Sequence, residues 1–322
     1  MAKQAKKTNT QEPSIEQRTT VDHTIPGTTV VMQRAVTPHA MTPKKQPFLF
    51  PQTEVADIAL AMQLGMNIML TGPTGCGKTA LPTALCAELG LPLVRFNCDG
   101  ETRVSNLRGM NVPAAKDGVL TLQFNEGDLA KCMREGMPVM LDEVDASTPG
   151  VRFVLQPVLE EGNRTLHIPE TGETIRAAPG FCLFATGNTI GFRASRRAQY
   201  AGTNAMNAAF LDRFGCVISC NYPTREVEYE RILVNVPGCD TELIDGICRV
   251  ASELRADKSF ASDFSTRRCI QWARLTQHYG ALGVVHAAEL SVLRKLENAT
   301  DARVAREVIG RSFGYGSEGE DA

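Results

Sequence analysis

The chain has 322 residues, 43% hydrophobic and 22% charged, a balance close to that of average globular proteins. Lysine plus arginine (34) nearly offset aspartate plus glutamate (36), so the global basic footprint of a dedicated nucleic-acid binder is missing. No apolar run is long enough to cross a bilayer or act as a signal peptide, and the ten cysteines lack paired metal spacing; a cytoplasmic protein with reduced thiols, off the membrane, is expected.

Residues 1–46 are rich in Lys, Thr, Gln and Pro, lack periodicity, and predict a mobile arm. The apolar patch at residues 30–32 is the exception, able to dock on the body or on a neighbour. From Thr53 the pattern turns helical: Val55, Ile58, Ala59 and Met62 share a face, and Gly65 marks the end. Residues 67–70 then form a short apolar run, 72–79 a glycine-rich loop, and the stretch to Gly90 a helix in which Pro82 predicts a slight kink.

Compact apolar runs recur at residues 93–96, 139–141, 181–185 and 216–219, separated by helical stretches, as in a parallel sheet covered on both faces. Two hairpins are expected between them. Leu120, Leu122 and Phe124 alternate after an Asp117-Gly118 turn, and Leu166, Ile168 and Ile175 flank a turn at residues 170–172. Beyond Tyr222 only helical periodicity remains, at residues 226–234, 242–254, 266–277, 283–295 and 301–309. The expected organisation is an arm (1–46), an α/β domain with a five-stranded parallel sheet in an αβα sandwich (47–222), a smaller all-helical domain (223–314) and a disordered acidic tail (315–322).

Gly72-Pro73-Thr74-Gly75-Cys76-Gly77-Lys78-Thr79 fits G-x-x-x-x-G-K-[ST]. Its glycines let consecutive N–H groups converge on phosphate oxygens at a helix N-terminus. Lys78 is placed for the β and γ phosphates of ATP, and Thr79 for Mg2+, which prefers hard oxygen ligands. Cleavage also needs a metal-positioning acid and a group that orients water. Asp142 and Glu143 end a buried apolar run and suit those two roles; as a bland alternative they would be helix-capping carboxylates. Asn188 follows the run at 181–185, where a polar side chain would meet the attacking water. Arg213 follows an apolar helical segment; alone it reads as an ordinary surface charge, although an arginine serving a neighbour's γ-phosphate must also lie on the surface.

In this order, GPTGCGKT, MLDEVDAS, FATGN, NAAFLDRF and FSTRRCIQWARL resemble the MoxR-type AAA+ ATPases over about residues 47–314. Within them the chain is most similar to the CobS, CbbQ and NorQ branch, and particularly to the cobaltochelatase CobS subunits. The resemblance implies that residues 72–79 are Walker A, Asp142 and Glu143 Walker B, Asn188 sensor 1, Arg213 a trans-acting arginine finger and Arg267 sensor 2, with Arg268 beside it leaving that assignment open. It also implies a six-membered ring, hairpins facing the ring centre or a partner, and a partner with a von Willebrand factor A-type domain. The expected function is a Mg-ATP-driven motor that remodels another protein. A chelatase accessory subunit and a nucleic-acid motor are the rivals, and no motif encodes the client.

Overall fold

The five apolar runs come together in one parallel sheet. The computed structural model describes residues 19–116, 119–188, 208–280 and 283–314. Its first strands are β1 (Thr20–Thr24), β2 (Val31–Ala35), β3 (Ile68–Thr71), β4 (Val94–Asn97), β5 (Gly109–Lys116) and β6 (Val119–Glu126). Then come β7 (Val139–Asp142), β8 (Thr165–Ile168), β9 (Glu173–Arg176), β10 (Leu183–Gly187) and β11 (Cys216–Ser219). The main sheet runs β11-β3-β10-β7-β4 with every pairing parallel.

Both faces of this sheet are covered, which is why its strands read as unbroken apolar runs. Side chains alternate across the strand. Met69, Val139, Leu141, Leu183 and Ala185 therefore enter a core with Leu129, Met133 and Leu155. Ile68, Leu70, Met140, Phe184 and Ile218 face the opposite way, against Ile58 of the helix Gln52–Gln63 and Leu85 of the helix Ala80–Leu89. The register keeps the carboxyl ends level: Gly187 lies opposite Thr71, Ala185 opposite Leu141, and Asn97 opposite Asp142. The residues leaving β3, β7 and β10 are thereby brought to one edge, the place where open α/β sheets build their sites.

The helices Arg225–Asn235, Thr241–Ala256, Thr266–Tyr279, Val284–Ser291 and Ala299–Phe313 surround a separate core that includes Trp272. Their starts are set chemically: Thr224, Asp240, Ser265 and Asn298 each accept a first-turn N–H. The apolar run at 283–295 is not one helix, because a short 3-10 turn, Leu293–Lys295, follows Val292.

The expectation of a mobile arm over residues 1–46 fails for residues 19–46; residues 1–18 and the tail at 315–322 lie outside the described residues. β1 and β2 form an antiparallel hairpin. Ile25 and Met32 join the core beside Phe50 and Ile58, so of the patch at 30–32 Met32 docks while Val31 stays exposed. Glu88, buried on the helix Ala80–Leu89, anchors the segment through His23 at 2.7 Å and through Lys45. β1 is exposed along nearly its whole length and only Met32 and Ala35 of β2 are buried, so the hairpin leaves little apolar alternation to read in sequence.

Pro82 falls in the first turn of the helix, which begins at Ala80.

The two expected hairpins are β5–β6 and β8–β9, although the Asp117-Gly118 turn lies outside the described residues. They differ in burial. Leu166, Ile168 and Ile175 pack into the core, whereas Leu120 and Leu122 of β6 are 78% and 71% exposed. Arg134, near the end of the helix Asp128–Glu135, bridges the pair: it donates to both carboxylate oxygens of Glu173 on β9, each at 2.9 Å, and to Glu126 on β6 at 3.0 and 3.2 Å.

Candidate nucleotide site

The loop between β3 and the helix Ala80–Leu89 depends on glycine at three points, the first being Gly72, where a Cβ would sit 1.9 Å from the Cys220 carbonyl oxygen. Gly75 has φ 73°, and a Cβ there would sit 2.4 Å from the Ser265 Cβ, so no other residue lets the helical domain approach this closely. Gly77 has φ 113°, and a Cβ on it would meet nothing within 4 Å. The loop backbone faces open space there, which a ligand oxygen could enter.

Lys78 is buried and spends its ammonium on three acceptors: Gly72 O and Pro73 O at 2.9 Å each, and Asn188 Oδ1 at 2.8 Å. The last contact joins the loop to the residue leaving β10. Thr79 Oγ1 donates to Asp142 Oδ1 at 2.9 Å. A hydroxyl and a carboxylate placed together are the hard oxygen donors that Mg2+ takes, so the residues present fit Mg-ATP. Asp142 accepts further bonds from Thr186 Oγ1 and from the Arg95 guanidinium of β4.

Glu143 is the only non-glycine residue with positive φ among the described residues, at φ 55° and ψ 43°. Such a conformation costs a side-chain-bearing residue about 1–3 kcal/mol and persists where surroundings impose it. Here the imposing contact is a 3.0 Å bond from Glu143 N to Thr186 Oγ1. The turn leaves Glu143 exposed beside buried Asp142. Asp145, two residues on, accepts from Asn188 N at 3.0 Å and fixes the backbone there.

Arg213 lies elsewhere. Its carbonyl accepts from Asn67 Nδ2 at 2.8 Å, and Asn67 precedes β3, at the edge opposite the glycine loop. Four strand residues separate the two edges, roughly 13 Å at the usual rise. Its guanidinium donates to Ala209 O at 2.6 Å and pairs with Glu160 at 3.6 Å.

The start of the helix Thr266–Tyr279 meets the glycine loop through Ser265. Asp263 accepts from Thr74 N at 3.3 Å, and Tyr222 donates to Thr74 O at 2.8 Å. Arg267 is exposed in the first turn, while burial lowers the Arg268 pKa and its guanidinium points to Lys295 O at 3.5 Å.

Residues 67–214 match the AAA domain of the dynein-related subfamily. Over 274 residues the chain is 30% identical to the aerobic cobaltochelatase subunit CobS of a Sinorhizobium species, spanning 83% of this chain and 81% of CobS. It is 32% identical over 272 residues to NorQ of Paracoccus denitrificans, spanning 83% of this chain and 94% of NorQ. The chain belongs to the AAA+ ATPases of the CobS and NorQ type. This AAA+ protein is an ATP-hydrolysing enzyme. A Thermotoga maritima RuvB mutant shares its fold, with a TM-score of 0.50 at 17% identity over 86% of this chain and 76% of RuvB.

Four residues of this ATPase escaped sequence reasoning. Thr186 and Asp145 shape the acid turn, Arg95 pairs with Asp142, and Asn67 ties the foot of β3 to the Arg213 segment. Only Asp145 left a signal, as a further acid after Asp142 and Glu143; the others act across long sequence separations. Asn67 is fully buried, donates also to Leu159 O at 2.7 Å, and accepts from Arg164 at 2.8 Å. Asn67→Ala strands two carbonyls and should lower unfolding free energy by about 3 kcal/mol, read from urea denaturation; a loss under about 0.5 kcal/mol would contradict this account.

Proposed function

We propose that this ATPase assembles head to tail into a ring, six-membered as its resemblance implies, in which each Arg213 serves the nucleotide of the next subunit. The observation that carries this reading is the position of Arg213 at the sheet edge opposite its own glycine loop. An arginine there can reach a phosphate only on another copy, and head-to-tail contacts close into rings.

Within one site, the loop amides and Lys78 would hold the phosphates of ATP. Thr79 and Asp142 would hold Mg2+, which supplies charge neutralisation to the phosphate oxygens. Glu143 would polarise the attacking water, with Asn188 orienting it. Arg267 is the better sensor 2 candidate, since Arg268 is turned to Lys295. Ser265, Asp263 and Tyr222 contact the loop directly, so a change at the phosphates would reach residues 223–314 as a lid movement.

The output we propose is remodelling of a partner protein in the cytoplasm, with a von Willebrand factor A-type partner. Exposed Leu120 and Leu122 offer an apolar contact for partner or client. The match to CobS favours a second reading, an ATPase subunit of a chelatase-like complex; ATP-dependent metal insertion on reconstitution with a large chelatase subunit would select it. A nucleic-acid role is disfavoured by the near-neutral charge, and among the described residues no helix is long and apolar enough to cross a membrane.

Mixing tests the ring. Arg213→Ala and Lys78→Ala subunits should each be inactive alone, and an equal mixture should recover up to about a quarter of wild-type turnover, the share of random interfaces pairing an intact loop with an intact arginine. No recovery in rings shown to be mixed would end the trans assignment.

A further inference from the structure

We propose that Cys76 and Cys220 form a redox-modification site, joined by hydrogen peroxide into a disulfide that clamps the phosphate loop. The consequence for ATP rests on reading residues 72–79 as the nucleotide cradle; the disulfide itself does not.

Three geometric facts place the two thiols together. Cys76 lies inside the loop, and Cys220 follows β11, its N–H donating to Thr71 O at 2.7 Å, so residue 220 is fixed beside the root of the loop. A Cβ built on Gly72 would lie 3.2 Å from Cys76 Sγ and 1.9 Å from the Cys220 carbonyl oxygen, so both residues crowd one point. They also line one cleft with Phe48, Pro51, Gly77 and Arg231. Its cavity volume is about 30 Å3, room for a molecule the size of water or peroxide and too little for glutathione.

The electrostatics assign distinct roles. Cys220 beside it lowers the Cys76 pKa below the usual thiol range, burial opposing and the Lys78 charge assisting. Cys76, with burial, pushes Cys220 up. Cys76, in the loop two residues from Lys78, is the attacking thiolate, and Cys220, held at the end of β11, the resolving thiol. Burial pushes the thiols of Cys86, Cys98, Cys132, Cys182 and Cys248 up instead, which makes them poor competitors for oxidant.

The chemistry balances with one peroxide. The Cys76 thiolate attacks a peroxide oxygen; an S–O bond forms, the O–O bond breaks, and the departing hydroxide takes a proton to become water. The Cys220 sulfur then attacks the resulting sulfenic acid. The S–S bond forms, the S–O bond breaks, and hydroxide leaves with the Cys220 proton as a second water. Two electrons pass from sulfur to oxygen. The bridge ties the middle of the loop to the fixed end of β11, so the loop loses the freedom to close on phosphate.

The test uses the full-length protein treated with hydrogen peroxide, alkylated and digested without reductant, alongside titration with a fluorescent ATP analogue. Mass spectrometry should find a peptide linked through residues 76 and 220. The oxidised protein should bind the analogue at least about tenfold more weakly than the reduced protein, and dithiothreitol should reverse both changes. Cys220→Ala, or Cys220→Ser should the alanine form not fold, should give no linked peptide. The proposal is overturned if the wild type yields no 76–220 linkage, or if the linked protein binds the analogue as tightly as the reduced protein. A linked protein whose reduced form never binds the analogue would instead remove the nucleotide reading on which the clamp depends, and the clamp with it.

Discussion

Exchanging Glu143 for glutamine should leave ATP bound while cutting turnover by about a hundredfold to ten-thousandfold, the usual worth of a general base. Glutamine has the same shape and suits the same backbone, but its amide is not basic enough to draw a proton from water. Phosphate release and titration with a fluorescent ATP analogue separate the two effects; a wild-type rate would remove Glu143 from the role assigned to it. The left-handed turn at φ 55° supplies a second arm. Glu143→Gly should relax that backbone, raising thermal stability slightly even as turnover collapses. Gain of one with loss of the other is the mark of a residue kept for chemistry.

Lys78→Ala should raise the Kd for ATP about a hundredfold or more, because the ammonium would contribute at least one strong charged hydrogen bond to phosphate, at about 1.5–3 kcal/mol, together with direct charge attraction. Its present contacts complicate the reading. The side chain also holds Gly72 O, Pro73 O and Asn188 Oδ1, so removing it frees the loop from β10 as well. Lys78→Met keeps most of the aliphatic stem and loses only the charge. Equal affinity losses in the two variants, with little change in melting temperature without nucleotide, would assign the effect to charge. An unchanged Kd in both would remove Lys78 from the site.

What the sequence disclosed follows from how local each feature is. Residues 139–141 are buried on both faces, so every position must be apolar and the run declares itself. The glycine loop is equally local, its spacing being its geometry. Arg95 and Asp142 are instead brought together by the pairing of β4 with β7, which no pattern within either segment encodes. Thr186 reaches Glu143 in the same way, through β10. The β1–β2 hairpin was missed for a different reason: a ribbon with most of its side chains in water needs no strong apolar alternation, and its docking rests on Ile25, Met32 and the contacts of His23 and Lys45 with Glu88.

Arg134 carries a mechanical corollary. A guanidinium gripping Glu126 on one ribbon and Glu173 on the other couples the exposed leucines of β6 to a neighbour rooted in the core. Force applied at Leu122 would be passed through Arg134 to the ribbon anchored in the core, which would brace the exposed one.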